Sequence, residues 1–551
     1  MSILLKKYYI FAFIIIFTGV FFRLYNLSWG SPFFFHPDER NIASGVSQLL
    51  FPDKLNPHFF AYGSLPIYAT YFGSVFINLF DNLFSDLRIS VWTVSFENAI
   101  LMGRVISSFL SILTLFLIYK AGKNFYGRRV GIIAVLLASL SVGLIQYAHF
   151  STFESWLTFL TSALFYLCIK YLDKREFKDL LLVSITLGAL VSVKISSLVF
   201  LFLVIGLVLI TEIRQTRKLD KRIFMQLENV LLKLLITIGV TILTVVATSP
   251  FFWIDNSSFL SSISYESSVA LGTLKVFYTQ GFENTIPILY QSIKVYPFLM
   301  NPVVWIVALT ASVLLTIRAV GSRDMKLIIL LLFLFISFTS QAFLFVKWIR
   351  YYVPTLPFLY LILGIFFSKG LSSRKLNHKI VFTSVFLLLF VSYVFAFSYF
   401  KTVLYGNDTR IDAARWAAGS IDRSSKIVSE IYDMGIVPFN AFFNDITLHN
   451  FYDLEKDVAV QRDLAKRLDQ SNYVIIPSQR ILETRLSNPH LYPRGNLFYS
   501  SLVSERGYKK LYETECDIFC NILYLGSPQF SFEQTANVFD RPTVTIYQHV
   551  K

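Results

Sequence analysis

The sequence predicts a mainly α-helical, polytopic membrane protein of about eleven spans, followed by a C-terminal α/β domain. Three observations carry this. Hydrophobic residues make up 55% of the 551 positions and charged residues only 15%, and the mean hydropathy is +0.57. Runs of roughly 18 or more apolar residues recur up to Phe400, each long enough to cross a bilayer. Beyond Phe400 the composition turns polar and no such run follows.

Basic loops set the expected topology. They are Lys6-Lys7, Lys120 to Arg129, Lys170 to Lys178, Arg214 to Arg222, Arg318 to Lys326 and Lys369 to Lys379. If all six face the cytoplasm, the segments between them cross in pairs. The formal charge of +15 is then explained by loops and calls for no nucleic acid. Spans are expected at about 8–27, 101–119, 130–148 and 153–171. The run 179–211 is too long for one crossing at about 1.5 Å per residue, so it splits into two spans with Lys194 at the outer turn. Further spans follow at about 231–249, 298–317, 326–345, 353–368 and 380–400. Residues 64–84 have the hydropathy of a span, but a crossing there would put Lys120 to Arg129 outside. They are therefore read as an interfacial or re-entrant helix within a large first outer loop, about 28–100. A true crossing offset by another span is the competing account. The N-terminal segment has no small-residue cleavage site after it and reads as an uncleaved anchor.

Residues 1–400 thus form the expected transmembrane domain and 401–551 a soluble extracytoplasmic one, of ordinary domain size. In the latter, Asp408 to Gly419 and Asp457 to Leu468 read as capped helices. Lys426 to Ile431, Tyr473 to Ile476, Tyr508 to Tyr512 and Thr543 to Tyr547 read as strands. Three cysteines make no disulfide framework. Cys516 and Cys520 are close enough to pair in an oxidising compartment, and spacing alone leaves that open.

The stretch Phe33-Phe34-Phe35-His36-Pro37-Asp38-Glu39-Arg40 lies just past the first span. Proline suits a first helical position, and carboxylates in the first turn meet the positive end of the helix dipole. Ile42, Val46, Leu49 and Leu50 then recur at helical spacing, which predicts a short amphipathic helix on the membrane surface. Acids beside a membrane segment are candidate functional groups. Other unusual polar residues fall on the same expected face: His58, Tyr62, His149, Glu154, Lys194, Asp255, Lys347, Arg350, Tyr351 and Tyr352. Taken singly, an interfacial Lys or Arg usually snorkels to the membrane edge. Together they describe an acid/base centre beside an anion site, with Arg350 able to grip phosphate oxygens and Lys194 acting as a point charge. There is no GxxxxGK[ST] loop, no HExxH and no Cys/His cluster with metal spacing. The anion that fits is a lipid-linked phosphate, whose head reaches the outer face while its tail stays in the bilayer.

The order of these features resembles the polytopic GT-C glycosyltransferases, in the branch of protein O-mannosyltransferases and bacterial lipid A aminoarabinose transferases. The matching pieces are His36-Pro37-Asp38-Glu39, Asn56-Pro57-His58-Phe59-Phe60, Tyr62-Gly63-Ser64-Leu65-Pro66-Ile67-Tyr68 and Gly103-Arg104. Asn124 to Arg129, Gln146 to Glu154, Val193-Lys194 and Arg350 to Pro357 follow in the same order. Glu154 stands where Asp is common in the family. The resemblance implies transfer of a hexosyl or pentosyl unit from a polyprenyl-phosphate donor to a protein, lipid or glycan acceptor outside the cytoplasm. Asp38 would be the base, with Glu39 the alternative, since helical neighbours point about 100° apart. Lys194, Arg350 and Tyr351 would hold the donor phosphate. His36, His58, Tyr62, Arg104, His149 and Glu154 would line the substrate site. Direct displacement would invert the anomeric carbon. No cofactor is required, and a divalent metal near Asp38 and Glu154 stays an open alternative. The expected location is the plasma (inner) membrane, with a cytoplasmic N-terminus. The competing function is a transporter or flippase of a lipid-linked sugar, although polar groups at one face and the absence of a repeat weigh against it.

Overall fold

A computed structural model describes residues 3–84, 90–216, 223–372, 377–432 and 434–550. The chain divides into two compact units. The first comprises Met1–Leu27, Asp38–Gly272 and Leu299–Val394, and the second Ser28–Pro37, Thr273–Phe298 and Phe395–Lys551. The side chains of Lys6 and Lys7, most of the loop from Arg214 to Arg222, and 373–376 lie outside the description.

The first unit is helical. It runs through α1 (Ile3–Leu24), α2 (Pro37–Ser47), α3 (Ser64–Phe84), α4 (Phe96–Ala121), α5 (Arg128–Ser139) and α6 (Val142–Gln146). Next come α7 (Glu154–Lys174), α8 (Phe177–Val193), α9 (Val199–Thr216), α10 (Ile223–Thr248), the short α11 (Phe251–Ile254) and α12 (Asn256–Leu271). After α13 (Tyr296–Met300), which spans the junction of the units, follow α14 (Pro302–Ser322), α15 (Met325–Ala342), α16 (Leu356–Ser372) and α17 (His378–Tyr399). Among the described residues, eight helices are long and apolar enough to cross a membrane, or nine if one bent pair counts as a span. Each of the eleven expected spans is helical. The described apolar part of α1 and the 17-residue α8 are shorter than those eight. The expected straight span at 130–148 is instead the bent pair, turning by 64° between α5 and α6. Leu140 leaves the helical conformation there, and the Ser141 hydroxyl caps the restart by accepting from Leu144 N. Residues 64–84 form α3, which packs on α4 and α8. Phe72, Phe76, Phe80 and Phe84 stay exposed on it, as on a lipid-facing surface.

Close helix contacts rest on small residues. A Cβ at Gly188 of α8 would lie 2.6 Å from Thr244 Cβ on α10, and one at Gly364 of α16 would lie 2.7 Å from Val130 O on α5. One chain break falls at a charged residue. Lys194 adopts an extended conformation after α8, and a 3₁₀ turn, Ile195–Leu198, starts the next segment.

The second unit holds a five-stranded sheet in the order β2-β1-β3-β5-β4. Its elements are α18 (Thr409–Ser420), β1 (Lys426–Glu430), β2 (Asp445–His449), α19 (Val458–Gln470), β3 (Tyr473–Ile476), α20 (Arg480–Ser487), α21 (Pro493–Val503), β4 (Tyr508–Glu513), α22 (Ile518–Leu523) and β5 (Thr545–His549). β1 runs parallel to β2 and β3, while β5 is antiparallel to β3 and β4. Side chains alternate faces along each strand. Val428, Val474, Ile476 and Tyr547 pack with Leu464, Ile481 and Tyr499. Ile427, Ile475 and Ile546 pack with Ala413 and Ala417 of α18. Asp408 and Asp457 cap α18 and α19, as their positions predict. β2 and α20 to α22 were not expected from the sequence. Cys516 and Cys520 are joined as a disulfide.

Candidate active site

Asp38 and Glu39 open α2 directly after Pro37, and successive residues on a helix point about 100° apart. Their fates differ accordingly. Glu39 is fully buried and meets Arg104 side-on: Nε donates to Oε1 at 2.8 Å and Nη2 to Oε2 at 2.6 Å. Ser151 N donates to Oε1 at 2.6 Å, and Arg104 Nη1 donates to Leu27 O at 2.8 Å. Every group of this pair is engaged inside protein, so it ties α2, α4 and the turn before α7 together. Gly103 permits the approach, since a Cβ there would sit 1.8 Å from Ser151 Oγ. Asp38 turns the other way and pairs with Arg350 Nη1, and both side chains keep just under a fifth of their surface exposed.

Arg350 lines a cavity of about 300 Å³ within the first unit, at the lower end of the ~300–1,000 Å³ typical of small-molecule sites. Its wall is drawn from remote segments: Phe60 to Gly63, Phe153, Lys194 to Ser196, one stripe of α12, the end of α15, and Arg350-Tyr351. A Cβ at Gly63 would lie 1.8 Å from Ser192 O, and Gly63 N donates to Val193 O at 2.9 Å, so the first loop is seated against the Lys194 turn. Lys194 Nζ lies 4.3 Å from the Tyr351 ring centre and 5.0 Å from that of Phe153. The Arg350 guanidinium stacks 4.6 Å over Trp348 and reaches the same Phe153 and Tyr351 rings. Two cations thus share one aromatic wedge, an arrangement suited to an anion between them. Lys194 has no carboxylate within ion-pair range among the described residues, and Arg350 Nε is buried without a hydrogen-bond partner. Burial and the neighbouring Arg350 push the Lys194 ammonium down to about 8. Burial raises the Tyr62 phenol well above its ordinary value.

The other expected site residues scatter. Tyr62 lines the cavity, with its ring 4.2 Å from that of Phe153. Glu154 is buried at the start of α7 beside Arg350, and both its oxygens lack a well-formed hydrogen bond. His149 is buried, with its ring nitrogens 2.8 Å from Ile145 O and Tyr25 O. Arg104 is spoken for by Glu39. His58 is exposed in the loop where Asn56 donates to Asp255 at 2.9 Å. His36 belongs to the second unit, where its ring lies 4.3 Å from that of Phe539. Lys347 is buried and donates to Phe345 O at 2.9 Å, and the Tyr352 hydroxyl donates to Gln341 O at 3.2 Å. Sequence reasoning missed Glu266 of α12, which also lines the cavity, and the aromatic partners Phe153 and Trp348.

Among the described residues, no three His, Cys, Asp or Glu side chains gather as a metal-binding set. Asp38 and Glu154, the two acids considered for a metal, each have the Arg350 cation as a neighbour.

Residues 83–253 match the family model described as dolichyl-phosphate-mannose-protein mannosyltransferase. No curated protein matches the sequence. Among solved structures, the oligosaccharyltransferase of Archaeoglobus fulgidus, tethered to an acceptor peptide, superposes with a TM-score of 0.50 at 10% identity, over 98% of this chain and 88% of that one. ArnT from Cupriavidus metallidurans, bound to undecaprenyl phosphate, gives 0.48 at 11% identity, over 98% of both chains. The protein O-mannosyltransferase complex of S. cerevisiae, bound to its sugar donor, gives 0.35 at 18% identity, over 46% of this chain and 34% of that one. The fold is that of the archaeal oligosaccharyltransferase, and the family match over residues 83–253 agrees with the mannosyltransferase branch of the resemblance read from the sequence.

Proposed function

We propose, on the premise of that mannosyltransferase-family match and GT-C fold, that this multi-pass membrane protein transfers a sugar from a polyprenyl-phosphate donor to an acceptor outside the cytoplasm. The observation that carries this reading is the cavity: Lys194 and Arg350 share one aromatic wedge, and Asp38 stands at Arg350.

The donor phosphate sits between Lys194 Nζ and the unpartnered Arg350 Nε. The acceptor nucleophile attacks the anomeric carbon from the side opposite the phosphate. A new bond forms there as the carbon–oxygen bond to the phosphate breaks, and the electron pair leaves with the phosphate. Asp38 takes the nucleophile's proton. Negative charge grows on the phosphate during this step, and two cations fixed in the cavity favour that change more than they favour the bound ground state. One displacement inverts the anomeric centre. Asp38 suits the role of base better than Glu39, whose oxygens are both engaged by Arg104 and Ser151. No diphosphate leaves, so the reaction needs no divalent ion to hold one.

Sidedness has its own support. Glu154 and the cavity lie at one end of α7. At the other end Asp173 accepts from Lys326 at 2.7 Å, beside the basic loop Lys120 to Arg129, where the Tyr126 hydroxyl donates to Lys326 O at 2.7 Å. The 21 residues of α7 measure roughly 30 Å, the thickness of a hydrocarbon core. Basic loops favour the cytoplasm, which supports the reading that the cavity opens on the opposite face of the membrane. The Cys516–Cys520 disulfide suits an extracytoplasmic C-terminal unit. The test is transfer from labelled dolichyl-phosphate mannose and undecaprenyl-phosphate aminoarabinose in proteoliposomes, by wild type and Asp38→Asn. Product with the wild type and its loss with the variant support the reading, and equal rates remove Asp38 from the chemistry.

A further inference from the structure

Glu266 faces the same cavity from α12, on the wall that also includes Phe259, Ile263, Ser267 and Ala270. These positions follow helical spacing and form one stripe. The helix has little structural use for a carboxylate there. Glu266 is its only charged residue, lies in its second half away from the positive end of the dipole, and has no ion pair among the described residues. Of the 16 residues of α12 only Val269 is buried, so the helix is a covering element rather than a core one. Its C-terminal end is fixed: Phe345 N donates to Ala270 O at 3.0 Å, and Gly272 turns away with φ +77° where any Cβ would meet Phe345. Glu266, one turn before Ala270, therefore has a defined place in the wall. Its electrostatic surroundings are those of the cavity. Glu266 itself is exposed; the protein around it partly desolvates the carboxyl and raises its pKa, Arg350 opposes that shift, and Asp38 and Lys194 act in opposite senses.

A cavity with two cations and one unpartnered carboxylate is complementary to a ligand with an anionic end and a hydrogen-bond-donating body. A carboxylate accepts from two hydroxyl groups at once, and polar recognition of this kind separates substrates that carry those hydroxyls from substrates that lack them. We infer that Glu266 is a specificity-determining residue that accepts hydrogen bonds from substrate hydroxyl groups held in the cavity with Lys194 and Arg350. The inference rests on the transfer reading above and extends it to a residue outside the acid/base and phosphate machinery. The hydroxyls belong either to the donor sugar or to the acceptor, and the two are separable.

The experiment uses the full chain in nanodiscs, with Glu266→Gln and Glu266→Asp, after thermal unfolding confirms that the variants fold. Equilibrium binding of dolichyl phosphate and dolichyl-phosphate mannose is measured beside the donor and acceptor KM for transfer. If the hydroxyls are the sugar's, Glu266→Gln weakens dolichyl-phosphate mannose by about tenfold or more and leaves dolichyl phosphate unchanged. If they are the acceptor's, acceptor KM rises by a similar factor and donor affinity does not move. Partial recovery in Glu266→Asp supports either arm. Unchanged affinities and KM values overturn the inference, as does a fall in kcat alone, which would place Glu266 in the chemistry. A wild type that transfers normally beside an indifferent Glu266→Gln refutes this inference only. A wild type that neither binds nor transfers refutes the transfer reading and takes this inference with it.

Discussion

Arg350 holds two tasks in one side chain, and replacing it with lysine separates them. Its Nη1 is engaged by Asp38, while its buried Nε has no hydrogen-bond partner, and Arg350 lines the cavity together with Lys194. A lysine carries its charge on one nitrogen, so it cannot hold Asp38 and grip a phosphate oxygen in the same planar arrangement. Arg350→Lys thus forfeits about one charge-assisted hydrogen bond, worth roughly 1.5–3 kcal/mol. At about 1.4 kcal/mol per decade this predicts a loss of roughly 10- to 150-fold in donor kcat/KM. Arg350→Gln removes the charge from both contacts, and the loss grows to roughly 10²- to 10⁴-fold. The assay is transfer from labelled dolichyl-phosphate mannose under steady state, with donor and acceptor varied separately. Both variants should retain wild-type acceptor KM, because the lost contact is to the leaving group. Arg350→Lys at wild-type kcat/KM, or Arg350→Gln no worse than Arg350→Lys, would refute the assignment of Nε to the phosphate.

Other consequences follow from the same geometry. Glu39→Gln leaves Arg104 buried without its counter-charge and should destabilise the fold by about 3–5 kcal/mol, read as a lowered unfolding temperature in detergent, with part of it regained in Glu39→Gln/Arg104→Met. Asp38→Asn should unfold near the wild-type temperature yet lose about 10²- to 10⁴-fold in kcat; a variant that is merely unstable contradicts the division of labour between the two acids. Lys194 must be charged to hold the phosphate, and burial beside Arg350 pushes its ammonium down to about 8. Donor kcat/KM should therefore fall tenfold per pH unit above that value, and Lys194→Arg should remove the fall because a guanidinium stays charged. A persistent fall in Lys194→Arg would assign the titration elsewhere. Transfer should survive EDTA unchanged; a loss restored by a divalent ion would overturn the metal-independent mechanism.

The helical framework was legible because lipid imposes a simple code. Long apolar runs read as helices, and because 179–211 is too long for one crossing, Lys194 near its middle marks the break between α8 and the next segment. The bend at Leu140–Ser141 was not legible, since a single capped serine inside an apolar run reads as an ordinary polar position. Proline and helix geometry foretold that Asp38 and Glu39 would diverge. Nothing local could tell which acid would find Arg104 and which Arg350, 312 positions further on. Glu266 stayed hidden in a serine-rich helix that reads as outer loop. Composition marked the change near Phe400, but Ser28–Pro37 and Thr273–Phe298, which also belong to the second unit, have no compositional signature. Their ties are specific contacts, such as Arg410 stacked 3.7 Å over Phe35 and Phe277 stacked 4.1 Å on Tyr432.

The most direct test is a structure of the protein with dolichyl phosphate bound in a nanodisc. The account predicts phosphate oxygens in contact with Lys194 Nζ and Arg350 Nε, the lipid tail leaving into the bilayer, and Asp38 open towards the acceptor side. A phosphate seated away from both cations, or a lipid head that approaches from the end of α7 carrying Asp173 and Lys326, would contradict it.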